Sequence, residues 1–218
     1  MATTTTNYEQ ADPDVRLMLQ VRDGNAAAFE ELVRRYQGRL LTFLENLIGS
    51  KESAEDLAQE VFLRVFRARA NYLPDARFAT WLFTIATNAA SNARRAKGKR
   101  LEVGVPQGNL GDTSPLTLEQ LAQAASGAMP ARIVDKLEAA GFVRLAMESL
   151  GERQRAALLL SQFEGMSYQD IADTMEITIP AVKSLLSRAR VNLRDILTPY
   201  MQTGQGLDPQ TVASVSDE

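Results

Sequence analysis

Ala54, Leu57, Ala58, Val61, Phe62, Val65 and Phe66 recur every three or four positions through one segment. That spacing places all seven on one face of an α-helix and on alternating faces of a strand, so only the helix buries them together. The same periodicity runs through most of the 218-residue chain, and no convincing alternating strand interrupts it. The spacing predicts helices over 13–22, from about 25 to 48, from Ser53 onward with Asp56 as a capping-box partner, and over about 77–97. Short connections between them make a helical bundle. Gly98, Gly104, Pro106, Gly108, Gly111 and Pro115 then break any regular element, apart from one short helix expected near 116–125. Helical periodicity resumes from Ile133 to about Leu197, before a Pro/Gly-containing acidic end. The expected architecture is all-α: a tail (1–11), a helical domain (12–100), a flexible linker (101–132), a second helical domain (133–197) and a flexible tail (198–218).

Charge narrows the function. The chain carries 24 Lys and Arg against 27 Asp and Glu, yet Arg77 to Arg100 holds six cations and no acid. RRAKGKR (94–100) alone supplies five of them. An acidic chain with one acid-free cationic stretch has a local electropositive surface suited to phosphate. The absence of Cys and His removes thiolate nucleophiles, Cys-ligated zinc, the commonest general base and the commonest transition-metal ligand. No Gly-rich phosphate loop is present, so an enzyme is not expected, nor a metal or cofactor. No apolar run reaches the ~18–20 residues of a membrane span. The N-terminus lacks the basic end and apolar core of a secretory signal, and the expected location is the cytoplasm.

Residues 167–194 carry the pattern of a helix-turn-helix. Ser167 and Asp170 form a capping-box start for a short helix containing Ile171, Ala172 and Met175. A break over 176–179 precedes Pro180, which suits the first position of a new helix. Val182, Leu186, Ala189 and Leu193 form its inner face, with Lys183, Ser184, Ser187, Arg188, Arg190 and Arg194 toward the other side. Four cations and no acid between Pro180 and Arg194 suit a helix that enters a major groove. Glu176 occupies a turn position that normally takes Gly or Asn at positive φ, at a cost of roughly 1 kcal/mol.

Over 78–95 the apolar positions are Phe78, Trp81, Leu82, Ile85, Ala86 and Ala89. Thr80, Thr84, Thr87, Asn88, Ser91, Asn92 and Arg95 fall opposite, a row of uncharged hydrogen-bonding groups leading into the cationic end. Such groups read bases while cations fix phosphates. Phe83 lies off the stripe and is expected exposed, where a base could stack on it. Trp81 reads first as core and second as a stacking platform.

Three strings in order, SAEDLAQEVFLRVFRA (53–68), FATWLFTIATNAASNARR (78–95) and ERQRAALLL…EGMSYQDIA…AVKSLLSRAR (152–190), resemble bacterial sigma factors of the extracytoplasmic-function (ECF) type. The resemblance covers about 12–197. It implies a subunit that binds core RNA polymerase, directs it to promoters through −10 and −35 elements, and helps open the DNA. Asp56, Gln59 and Glu60 would meet the clamp helices of the polymerase beta-prime subunit, and the beta flap is a further implied contact. The loop 71–77 and the polar side of the next helix would take the −10 element, implying Asn71, Arg77, Thr80, Trp81, Phe83, Thr84, Asn88, Ser91, Asn92, Arg94, Arg95, Lys97, Lys99 and Arg100. Lys183, Ser184, Leu185, Ser187, Arg188 and Arg190 would read the −35 element. An anti-sigma protein is a common partner in the family.

Two departures bear on specificity. Primary sigma factors have adjacent tryptophans where this chain has Trp81-Leu82, which implies weaker melting and stricter sequence dependence. The family's frequent Lys-Ser-Arg-Leu is here Lys183-Ser184-Leu185-Leu186, so a phosphate or guanine contact is lost and Leu185 could meet a thymine methyl. The competing reading is a stand-alone dimeric helix-turn-helix regulator on a palindrome. That needs a self-complementary surface, and the N-terminal segment has no sustained heptad to supply it.

Overall fold

Local capping chemistry sets most helix starts in the computed structural model, which describes residues 5–102 and 146–203. A short α1 (Thr5–Ala11) leads to α2 (Pro13–Arg22), where Asp12 caps the Asp14 amide at 2.9 Å. Pro13 stands at the first position, where a missing N–H costs nothing. The Asn25 side chain accepts from the Ala28 amide to start α3 (Ala26–Ile48), and Gly49 ends it at φ 81°. Left-handed backbone there is cheap only for glycine.

Helix α4 (Lys51–Ala68) begins earlier than the sequence spacing predicts. Ser50, not Ser53, is the cap, and its hydroxyl accepts from the Ser53 amide. A 3₁₀ turn (Arg69–Asn71) and the loop 72–77 connect to α5 (Phe78–Glu102). This helix runs through Gly98 rather than stopping at 97, since one helical Gly costs only ~1 kcal/mol. After helical backbone at 146–148 come α6 (Glu152–Gln162), α7 (Tyr168–Met175) and α8 (Ile179–Thr203). α8 starts one residue before Pro180 and continues through Pro199 to Thr203, so the expected break at 197 is not observed. Among the described residues there is no strand, and the protein is all-α. α5 continues past the expected linker start at 101 to Glu102; the rest of the linker, the helix near 116–125 and the tail beyond 203 lie outside the described residues.

The stripe on α4 faces inward as its spacing requires. Ala54, Leu57, Ala58, Val61 and Val65 are buried against α3 residues Leu32, Leu40, Phe43, Leu44 and Leu47. Phe66, the last member, turns partly outward onto Phe29 at 5.1 Å and beneath the Arg69 guanidinium at 4.0 Å. The C-terminal segment buries Ala157, Leu159, Leu160, Ile171, Val182, Leu186 and Ala189. These two sets are not separate cores: they join in one continuous apolar cluster through contacts of α5 with α7 and α3 with α6. Burying a Leu or Phe side chain contributes ~1.5–3 kcal/mol, so this shared core holds the segments together.

A candidate nucleic-acid interface under a helical cover

α8 presents the cationic face that its sequence pattern predicts. Val182, Leu186 and Ala189 are buried, while Lys183, Ser184, Ser187, Arg188, Arg190 and Arg194 are exposed. Leu185 is half-buried and packs against the core, so only part of it meets a groove. The turn before α8 is the tight one expected. Glu176 has φ 53° and ψ 46°, the one non-glycine residue at positive φ among those described. Ser167 and Asp170 complete the capping box of α7, each side chain bonding the other's amide at 3.1 Å.

On α4, Asp56, Gln59 and Glu60 are exposed along one edge, with Leu63 next on that face at 53% exposure. The Arg64 Nε donates to Glu60 at 3.0 Å within the helix. Carboxylates off the buried stripe are available to a second protein.

The α5 row lies elsewhere than the sequence reading placed it. Thr80 is only 3% exposed, and its hydroxyl donates to Asp170 Oδ1 of α7 at 3.2 Å. Thr174 of α7 lies over the Thr80 carbonyl, with its hydroxyl 3.5 Å away. Thr84 turns its hydroxyl back to the Thr80 carbonyl at 2.8 Å. Ser91 donates to Glu152 Oε1 of α6 at 3.1 Å, and Arg94 approaches the same carboxylate at 3.9 Å. Part of the row therefore faces α6 and α7, where Asp170 and Glu152 take the hydrogen bonds of Thr80 and Ser91. Asn71, Arg77, Asn88, Asn92 and Arg95 remain exposed, the last donating to Asn92 Oδ1 at 2.8 Å. Lys97, Lys99 and Arg100 extend the helix, but their side chains lie outside the described ones.

Phe83 requires a correction. It is fully buried, edge-on to Phe43 at 5.1 Å, and offers no platform for a base. α5 is buried over a wider face than the stripe marks: Phe83 lies against α3 through Phe43, while Thr80 lies against α7. Trp81 is half-buried, packed edge-on against Tyr72 at 4.8 Å, with Phe78 at 6.1 Å.

Several residues that sequence reasoning did not assign tie the two segments together. The buried Arg155 of α6 donates through Nη2 to the carbonyls of Glu148 (2.7 Å) and Leu150 (3.0 Å) and through Nη1 to Leu47 of α3 (3.5 Å). Burial, then the neighbouring Arg94, holds its pKa below the ordinary arginine value. Glu164, with a side chain 2% exposed, pairs with Arg39 of α3, and burial raises its carboxyl pKa despite that cation. Asp170 had a visible signal, since its capping role is local, but its second oxygen's bond to Thr80 spans 90 residues. No helix of the described residues is long and apolar enough to cross a membrane.

Known proteins show where this arrangement recurs. The family model of sigma-70 region 2 matches residues 32–100, and that of sigma-70 region 4 matches 143–193. The chain is 32% identical over 196 residues to the RNA polymerase sigma-H factor of Pseudomonas aeruginosa, spanning 88% of this chain and 97% of that one. It is 29% identical over 189 residues to the ECF RNA polymerase sigma-E factor of Escherichia coli K12, at 87% and 96% coverage. Among solved structures, CnrH in complex with the cytosolic domain of CnrY aligns with TM-score 0.60 at 24% identity, covering 86% and 99% of the two chains. The sigma factor RpoE in complex with the anti-sigma factor NepR from Bartonella quintana aligns with TM-score 0.58 at 22% identity, covering 78% and 96%. At those identities the two structures show a shared fold.

Proposed function

The chain belongs to the ECF-type RNA polymerase sigma factors, and from that premise we propose how its surfaces divide the work of promoter selection. It binds core RNA polymerase, brings it to −10 and −35 promoter elements and helps open the DNA, with no chemistry of its own. Residues 12–100 act as sigma domain 2 and 133–197 as sigma domain 4, joined by 101–132 and flanked by tails. The observation that carries the reading is the α8 face: exposed Lys183, Arg188 and Arg190 on a helix held by a capped α7 and a left-handed Glu176. Cations so placed reach guanine edges and phosphates of a −35 element. The exposed edge Asp56, Gln59 and Glu60 of α4 meets the polymerase clamp. Asn71, Arg77, Asn88, Asn92 and Arg95 take the −10 strand, with Trp81 beside them. Phe83 has no part in it.

Thr80, Thr84, Ser91 and Arg94 join that surface only when α6 and α7 move off α5, so −10 recognition requires the two segments to part. Core polymerase, by holding α4 and α8 apart on its own surface, supplies the force for that separation. The relatives' complexes with CnrY and NepR support an anti-sigma partner, and the working compartment is the cytoplasm. The relatives do not favour a dimeric operator-binding regulator. Size-exclusion chromatography of the purified chain with sigma-free core polymerase tests the reading. Co-elution that excess primary sigma factor displaces is the expected result; no co-elution would refute it.

A further inference from the structure

A helix needs something to take its first amide hydrogens, and at α5 the side chain in the cap position cannot do so. The residue before its first position is Arg77, whose side chain only donates. The acceptor comes from 66 residues away: Asp12 Oδ2 receives the Phe78 amide at 3.0 Å. Its other oxygen, Oδ1, receives the Asp14 amide at 2.9 Å and so starts α2. One carboxylate thus caps two helices, with both N-terminal dipoles favouring its negative charge. Two fixed acceptors on one rigid group set the position of the α5 N-terminus relative to α2.

Phe78 is the residue held, and it is the hub of an aromatic cluster. Its ring lies edge-on to Tyr36 at 5.1 Å and 6.1 Å from Trp81, which in turn meets Tyr72 at 4.8 Å. Tyr36 is tied to the same region by its hydroxyl, which donates to Asp14 Oδ2 at 2.7 Å. Tyr72 and Phe78 bracket the loop 72–77, and both are buried. A displacement of the Phe78 amide therefore shifts Trp81, the loop and the exposed Asn71 and Arg77 together. We propose that Asp12 is a positioning residue for −10 recognition: through the Phe78 amide it fixes the loop 71–77 and the first turn of α5 against the DNA strand. The inference rests on the reading that this loop and α5 take the −10 element.

The test uses holoenzyme reconstituted from core polymerase and the full chain, on a promoter fragment that the wild-type holoenzyme opens, selected by run-off transcription from genomic fragments. Opening is followed by permanganate reactivity of unpaired thymines. The protein has a single tryptophan, so Trp81 emission reports the cluster directly. Asp12→Ala should bind core polymerase as wild type does, change the Trp81 emission, and open the promoter about tenfold more slowly, equivalent to about 1.4 kcal/mol of displaced cap. Asp12→Asn keeps one acceptor oxygen for two amides, and should open the promoter at a rate between those of Asp12→Ala and wild type. Wild-type opening by Asp12→Ala would overturn the proposal. So would a parallel loss of polymerase binding and opening, which marks a general stabiliser. If Asn88→Ala with Arg95→Ala leaves wild-type opening intact, the assignment of α5 to the −10 element fails, and the role of Asp12 with it.

Discussion

Replacing Arg155 with Met removes a buried cation that joins α6 to α3 while nearly conserving volume. Two short bonds to carbonyls disappear, at 2.7 and 3.0 Å, together with the long contact to Leu47. A hydrogen bond from a charged donor contributes ~1.5–3 kcal/mol, and a buried acceptor left alone costs ~1–3 kcal/mol. Against this stands relief of the desolvated charge, because Nε has no protein partner and Arg94 repels the group. The Glu148 carbonyl borders solvent and recovers a water, while the Leu150 carbonyl is buried and does not. The net loss is about 2–3 kcal/mol. For a chain of this size that lowers the thermal midpoint by roughly 4–12 °C. Far-UV circular dichroism melting reads it, with Arg155→Lys expected between Met and wild type, since an ammonium keeps the charge but loses the planar fork. A Met variant melting within about 1 °C of wild type would refute the accounting and mean the carbonyls find other partners.

Glu176→Gly should stabilise the protein by about 1 kcal/mol in urea denaturation, because Gly adopts the observed φ of 53° without strain. Glu164 binds its proton more tightly folded than unfolded, so it adds stability below the ordinary glutamate value of 4.5 and loses it as pH rises through its raised pKa. The wild-type stability curve should therefore fall with pH just above 4.5 where Glu164→Gln shows no such fall; superimposable slopes would contradict this. In alkaline titration by ultraviolet absorbance, Tyr36 and Tyr72 should ionise well above the ordinary tyrosine value of 10.0, first because both are buried and then because Asp14 and Asp12 respectively oppose the negative charge. All five tyrosines titrating together below unfolding would exclude it. Glu152→Ala releases Ser91 and Arg94 and should raise single-stranded DNA binding by the isolated chain a few-fold in fluorescence anisotropy; unchanged affinity would mean the cover does not limit access.

The sequence by itself determined the local rules. The stripe on α4, the capping box of α7, the left-handed Glu176 and the apolar inner face of α8 all follow from residues within about one or two turns of each other. Periodicity and capping act over that distance, so they are legible without a structure. The exposed edge of α4 and the cations of α8 were legible for the same reason, since each lies opposite a stripe that had to be buried.

Only the tertiary structure decided the fate of α5. A periodic pattern marks one buried face, and a helix enclosed by two layers has two. Thr80 and Ser91 suit either a wet groove or a helix interface, because a short hydroxyl side chain is satisfied by an acid of α7 or α6 as readily as by DNA. Phe83 went to the core because the face that α5 turns to α3 is wider than the apolar stripe and takes it in beside Phe43. The groups joining distant segments share one property. Asp12 with the Phe78 amide, Glu164 with Arg39, Thr80 with Asp170 and Arg155 with Leu47 are separated by 66, 125, 90 and 108 residues. Nothing in a local pattern specifies which acid meets which amide across such a distance; chain topology brings them together, and burial then makes the pairing obligatory.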